Sequence, residues 1–142
     1  MSKFLDLLAT ETTLDIVLRL QPLGNPQVVV NINGTILHYG HLEMPVTLQH
    51  SVPLLDPLTV SISLYDKVYG NNETAVIVEQ FDIDNFAVVP AWTQTATYHN
   101  DHDYNDPTNY LGFNGTWELS TNCPFYQWKH HITGQGWLLT PC

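Results

Sequence analysis

Positive charge is scarce in this chain: four Lys and Arg stand among 142 residues, against 14 Asp and Glu, for a formal net charge of −10. Nucleic-acid binding depends on clustered Lys and Arg that neutralise phosphates. Lys3, Arg19, Lys67 and Lys129 form no cluster, so nucleic acid is excluded as a partner. An anionic membrane surface is excluded by the same repulsion. Long apolar runs are missing too; none approaches the roughly 20 residues of a membrane-spanning helix. The opening Met1 to Asp6 has one positive charge and an acid inside its short apolar stretch. It reads as a poor signal peptide, and the protein is expected to be made in a cytosol.

Cysteine is nearly absent. Cys123 and Cys142 form no Cys-x-x-Cys, which removes a zinc ribbon or thioredoxin-type site. In a cytosolic protein the two are expected as free thiols. Catalytic fingerprints are lacking as well: no GxSxG, no P-loop, no dinucleotide motif. His99-x-x-His102 has neither the spacing nor the glutamate of a zinc peptidase. Cys123 is followed by Pro124 and has no third group beside His130. His130 and His131 are adjacent and, on a strand, would face opposite ways. The chain is expected not to be an enzyme.

What is present is β-structure. Leu14, Ile16, Leu18 and Leu20 alternate with Asp15, Val17 and Arg19, the pattern of a half-buried strand. Val28 to Ile32 runs into Asn33-Gly34, the strongest short hairpin signal, because both turn positions need positive φ. The pattern recurs at Asn114-Gly115. Between them lie strand-like segments at 46–50, 58–65 and 74–81, with 125–131 and 137–139 near the end. Many short strands with frequent turns predict an all-β fold, an antiparallel β-sandwich of the jelly-roll kind. Residues 1–11 are expected as an N-terminal arm or short helix, and 12–142 as one sandwich domain.

The unusual side-chain chemistry lies late in the chain. All four Trp follow Pro90. Trp117 and Trp137, flanked by apolar strand residues, are expected in the core. Trp92, Tyr98, Tyr104 and Trp128 are the candidate ligand-binding aromatics, since Tyr and Trp faces match the C–H faces of sugar rings and their tips hydrogen-bond. Asp101, Asp103 and Asp106, with Asn100 and Asn105, supply the hard oxygens that calcium prefers in a flexible loop; His99 and His102 would suit a transition metal instead. Asp82 and Asp84 are expected on one side of a strand end, where a cation or a solvated edge fits. A small glycoside hydrolase would need two carboxylates across a cleft, and the sequence leaves Asp82 with Glu118 open as such a pair.

Val46 to Phe86 resembles the calcium-dependent carbohydrate-binding β-sandwich modules that accompany polysaccharide-degrading enzymes. The resemblance rests on the strand Leu58 to Asp66, the polar loop Gly70-Asn71-Asn72-Glu73, and Ala75 to Glu79 leading to Phe81-Asp82-Ile83-Asp84. It implies a calcium held by Asp66, Glu73 and Asp84, meeting sugar hydroxyls. The whole chain is also similar in style to the small jelly-roll proteins of tailed-phage particles: decoration proteins, fibre domains and adhesins. That likeness implies a virion component, made in the host cytoplasm, that oligomerises with its own copies or other virion proteins. The virion component is the leading expectation, a stand-alone glycan-binding module the alternative, and a small hydrolase the third.

Overall fold

The computed structural model describes residues 13–70, 74–89 and 92–133. The predicted N-terminal arm, Glu73 and the segment with Trp137 lie outside these residues.

Among the described residues ten strands form two antiparallel sheets. The first sheet is ordered β4-β1-β6-β7, from β4 (Val46–Pro53), β1 (Thr13–Leu23), β6 (Ala75–Ile83) and β7 (Phe86–Val89), with the short β9 (Tyr110–Leu111) also on β6. The second runs β3-β2-β5-β10-β8, from β3 (Thr35–His41), β2 (Gln27–Ile32), β5 (Pro57–Tyr65), β10 (Gly115–Pro124) and β8 (Thr97–Asn100). The chain stays within one sheet only across the β2–β3 and β6–β7 turns and otherwise passes between sheets, as a jelly roll does.

Period-two patterning builds the core. Leu14, Ile16, Leu18 and Leu20 of β1 are fully buried, as are Leu58, Val60, Ile62 and Leu64 of β5. They meet Trp117, which packs edge-to-face on Phe81 of the opposite sheet at 6.0 Å. Thr121 is the one buried polar side chain among the described residues. Its hydroxyl accepts from Leu58 N–H at 2.9 Å and donates to the Cys123 carbonyl at 2.7 Å. Trp117 is core, as expected.

Asn33-Gly34 makes its hairpin, with φ of 49° and 89°. Asp84-Asn85 makes another between β6 and β7, at 50° and 66°; Asp84 is thus a turn residue rather than a strand neighbour of Asp82. Asn114-Gly115 does not. Neither residue has positive φ, and the chain there crosses from β9 in one sheet to β10 in the other. The Asn114 amide instead pairs with the Lys67 backbone, accepting from its N–H at 2.8 Å and donating to its carbonyl at 2.9 Å. Gly115 is small because a Cβ would lie 2.1 Å from the His99 carbonyl oxygen.

The expected strand at 125–131 is a helix, Phe125–Ile132. Phe125 and Trp128 are buried and Ile132 is packed on the core, the i, i+3, i+7 face of a helix rather than the alternate face of a strand. Cys123 is disulfide-bonded, against the expectation of a free thiol. The sequence holds one other cysteine, Cys142, outside the described residues.

Candidate functional site

Loops gather at the end of the sandwich where β5 finishes and β6 begins. The segment 101–109 leaves β8 in one sheet and reaches β9 in the other. Two contacts hold its far end: Trp117 Nε1 donates to the Thr108 carbonyl at 2.9 Å, and Asn109 bonds Val78 through both backbone and side chain. At its near end Asn100 organises the turn. Its Oδ1 accepts from the His102 and Tyr104 amides, both at 3.0 Å, and its Nδ2 donates to the Tyr104 carbonyl at 2.9 Å. The first amides of this segment are held by the Asn100 side chain and by the Asn100 and Asn114 carbonyls, and its last carbonyls accept from Trp117 and Val78.

Beside it sits the 67–70 loop. The Tyr69 hydroxyl donates to Asp101 (2.7 and 2.8 Å to the two carboxylate oxygens) and accepts from Asn114 N–H at 2.8 Å. His102 Nδ1 reaches Asp101 Oδ1 at 2.7 Å. The imidazole stacks on Phe113 with centroids 4.1 Å apart and 13° between planes, and meets the edge of Tyr69 at 4.7 Å. The Tyr69 hydroxyl, and after it His102, hold the Asp101 carboxyl below the usual carboxylate range. The Tyr69 phenol is raised, first by desolvation and then by its bond to Asp101.

These contacts enclose a cleft of about 540 Å³ walled by Tyr69, Tyr98, Tyr104, Tyr110, Phe113 and the stem of Lys67. That volume lies in the ordinary range for small-molecule sites. Tyr69, Tyr104 and Tyr110 are each about two-fifths exposed, so their rings are open to a ligand, while the Tyr69 hydroxyl is already taken by Asp101 and Asn114. Tyr98 is the buried wall. Its hydroxyl donates to the Phe113 carbonyl and accepts from Phe113 N–H, and burial pushes its pKa up to about 12. The Lys67 ammonium donates to the Gly112 carbonyl and lies 5.4 Å from the Tyr69 ring centroid. The cleft can grip an amphipathic ring through aromatic faces and hydroxyls.

Of the predicted binding aromatics, Tyr98 and Tyr104 come together here. Trp92 and Trp128 do not. Trp92 stacks on Phe86, Phe86 meets Phe125, and Phe125 meets Trp128, which is 7% exposed. That cluster lies at the other end of β6, roughly 20 Å away at 3.3 Å per residue. Trp128 is core because it falls on the buried face of a helix. Tyr110, one of the aromatics the sequence offered as a sugar-stacking platform, lines the cleft too. Sequence reasoning missed Lys67, Tyr69 and Phe113; the signal was Val68-Tyr69-Gly70, an aromatic in a turn-rich stretch after a strand.

The predicted metal set is dispersed as well. Asp84 stands at the far end of β6, accepting from Asp15 N–H and from the Tyr126 hydroxyl. Asp101 is engaged with Tyr69 and His102, Asp103 is an exposed positive-φ turn residue, and Asp106 lines a smaller pocket beyond Tyr98 with Gln94 and His99. Asp66 and Asp84, two of the three calcium positions that the resemblance implied, lie at opposite ends of the sandwich. Among the described residues no group of three His, Cys, Asp or Glu side chains is placed to hold a metal ion. These residues do not fit a calcium cage. Nor do Asp82 and Glu118 flank a bond. They alternate with Phe81, Ile83, Trp117 and Leu119, all buried, and so point from the outer faces of two different sheets.

The chain shares its fold with vCBM60. The selenomethionine form of that protein, described with a circular permutation linking two families of calcium-dependent carbohydrate-binding modules, superposes with a TM-score of 0.51 at 12% identity, over 75% of this chain and 89% of that one. A complex of vCBM60 with galactobiose gives 0.50 at 12%, over 74% and 96%. No family model and no curated protein matches the sequence. At this identity the likeness shows the β-sandwich fold and bears out the resemblance to carbohydrate-binding modules at that level.

Proposed function

We propose that the protein is a non-catalytic carbohydrate-binding module whose glycan lies in the cleft of Tyr69, Tyr104, Tyr110 and Phe113. The carrying observation is the cleft itself: three half-exposed tyrosines converge there on a rigid sandwich end, and the sandwich has the fold of a module seen with galactobiose. Pyranose C–H faces pack on the rings, and the Tyr104 and Tyr110 hydroxyls with loop carbonyls take the sugar hydroxyls. In this reading no proton has to move.

The virion component inferred from composition finds no support in the fold comparison, which favours the glycan-binding alternative instead. Calcium belongs to the compared modules; titration in calcium and in chelator shows whether glycan binding here depends on it.

Calorimetric titration with galactobiose and a panel of neutral oligosaccharides tests the reading. Binding of at least one, weakened by Tyr104→Ala and by Tyr110→Ala with the fold intact, is the expected result. If no glycan binds, or if both variants bind as the parent does, the cleft is not the site.

A further inference from the structure

We propose that the exposed edge of β3 is an interface between two copies of this chain, independent of the glycan cleft. Charge distribution is the first observation. The chain carries −10, yet from Leu20 to Leu55 the only charged residue is Glu43. This stretch forms β2, β3 and β4, and β3 and β4 are edge strands of the two sheets. The acids lie elsewhere, most densely at Asp101, Asp103 and Asp106, which follow β8 at the opposite edge of the second sheet. Two like-charged copies meet with least repulsion on the neutral side.

The edge itself is the second observation. Edge strands are normally blunted by Lys, Pro or inward charge, because their free N–H and C=O groups are a template for another strand. β3 (Thr35–His41) carries no Lys, Pro or acid, and its one interruption is a bulge at Leu37 against β2. It presents Ile36 at 57% and Tyr39 at 74% exposure, and Met44 follows in the connection to β4 at 69%. The Tyr39 ring is already partnered along one side by Tyr65 of β5, at 6.0 Å, which keeps its other side free for a neighbour. Antiparallel pairing of β3 with β3 of a second copy continues the second sheet and covers these side chains about a two-fold axis. A second copy is the occupant that a neutral face on a strongly acidic protein favours.

Sedimentation velocity across a concentration series, with and without reductant, tests the proposal. The expected result is a species of twice the 16.1 kDa subunit mass that persists in reductant. Ile36→Lys and Tyr39→Glu should return the protein to a monomer with unchanged circular dichroism and unchanged glycan binding, whereas Thr97→Lys on the opposite edge should leave the dimer. A parent that stays monomeric at every concentration would overturn the proposal. So would a dimer indifferent to Ile36→Lys and Tyr39→Glu, and so would a monomer that dimerises only when residues 1–12 are removed, since that segment would then be the occupant.

Discussion

Replacing Gly115 by alanine should lower stability by about 3 kcal/mol and weaken glycan binding with it, although a glycine-to-alanine change commonly stabilises by roughly 0.4–1 kcal/mol through the unfolded chain. The backbone at Gly115 is not in the left-handed region, so the effect is purely one of space. The added Cβ would sit 2.1 Å from the His99 carbonyl oxygen and 2.6 Å from Asn100 Cα, where ordinary contact begins at 3.4 Å. The overlap with the oxygen is therefore about 1.3 Å (3.4 less 2.1), and both atoms are backbone. β8 must move off β10. Overpacking costs about 1–3 kcal/mol, and each ladder hydrogen bond lost between the two strands adds about 0.5–1.5 kcal/mol. At roughly 2–4 °C per kcal/mol for a domain of this size, the midpoint should fall by on the order of 10 °C. Asn100 lies directly opposite Gly115 and organises the turn that carries Tyr104, so the cleft loosens as the strand shifts. Urea unfolding followed by tryptophan fluorescence, alongside titration with a glycan, reads both effects. Gly70→Ala is the control, because nothing lies within 4 Å of its added Cβ. Gly115→Ala as stable as Gly70→Ala, within about 0.5 kcal/mol, would refute the steric reasoning.

Four further outcomes are expected. Thr121→Val strands the buried Leu58 N–H and should cost about 1–3 kcal/mol in urea unfolding, while Thr121→Ser retains most of the stability. Tyr104→Ala should weaken glycan binding about tenfold, equivalent to about 1.4 kcal/mol, with an unchanged melting point. Asp101 has its pKa depressed by Tyr69 and His102, so its contribution to holding the loop is present above the ordinary carboxylate pKa and is lost only as pH falls through the lower folded value. Carbon-detected NMR should place its midpoint below 3.8, and Tyr69→Phe should move that midpoint upward. Reduction of the Cys123 disulfide should lower stability by about 3 kcal/mol if Cys142 closes a loop of about 20 residues, which non-reducing peptide mapping and unfolding with reductant will check.

The strands were legible because one face of each is buried and the side-chain period is two. Leu14 to Leu20 and Leu58 to Leu64 declare their inward side in the sequence itself. Asn33-Gly34 was legible because its turn is local. Asn114-Gly115 carries the same two letters for other reasons, an amide that grips Lys67 and a glycine that lets β8 approach, and both depend on segments at least 15 residues away. Trp128 looked like a binding aromatic until the period changed from two to 3.6 after Pro124. The cleft was half legible. Tyr98 and Tyr104 lie in a conspicuous polar stretch, but Tyr69 joins them only because its hydroxyl meets Asp101, 32 positions later. The acids of that stretch looked like a metal loop because sequence shows their number and not their partners.

The segment 101–109 starts on one sheet and ends on the other, tied at Trp117 and Val78. Such a bridge cannot form while the sheets are apart, since Trp117 and Val78 approach each other only when the two layers dock. The cleft should then be among the last parts of the molecule to appear during folding and among the first to come undone. Mutations in the bridge would speed unfolding and leave the folding rate nearly unchanged. A bound sugar would act in the same place, slowing the opening of the native protein without hastening its formation, so that ligand occupancy would lengthen the protein's lifetime against proteases.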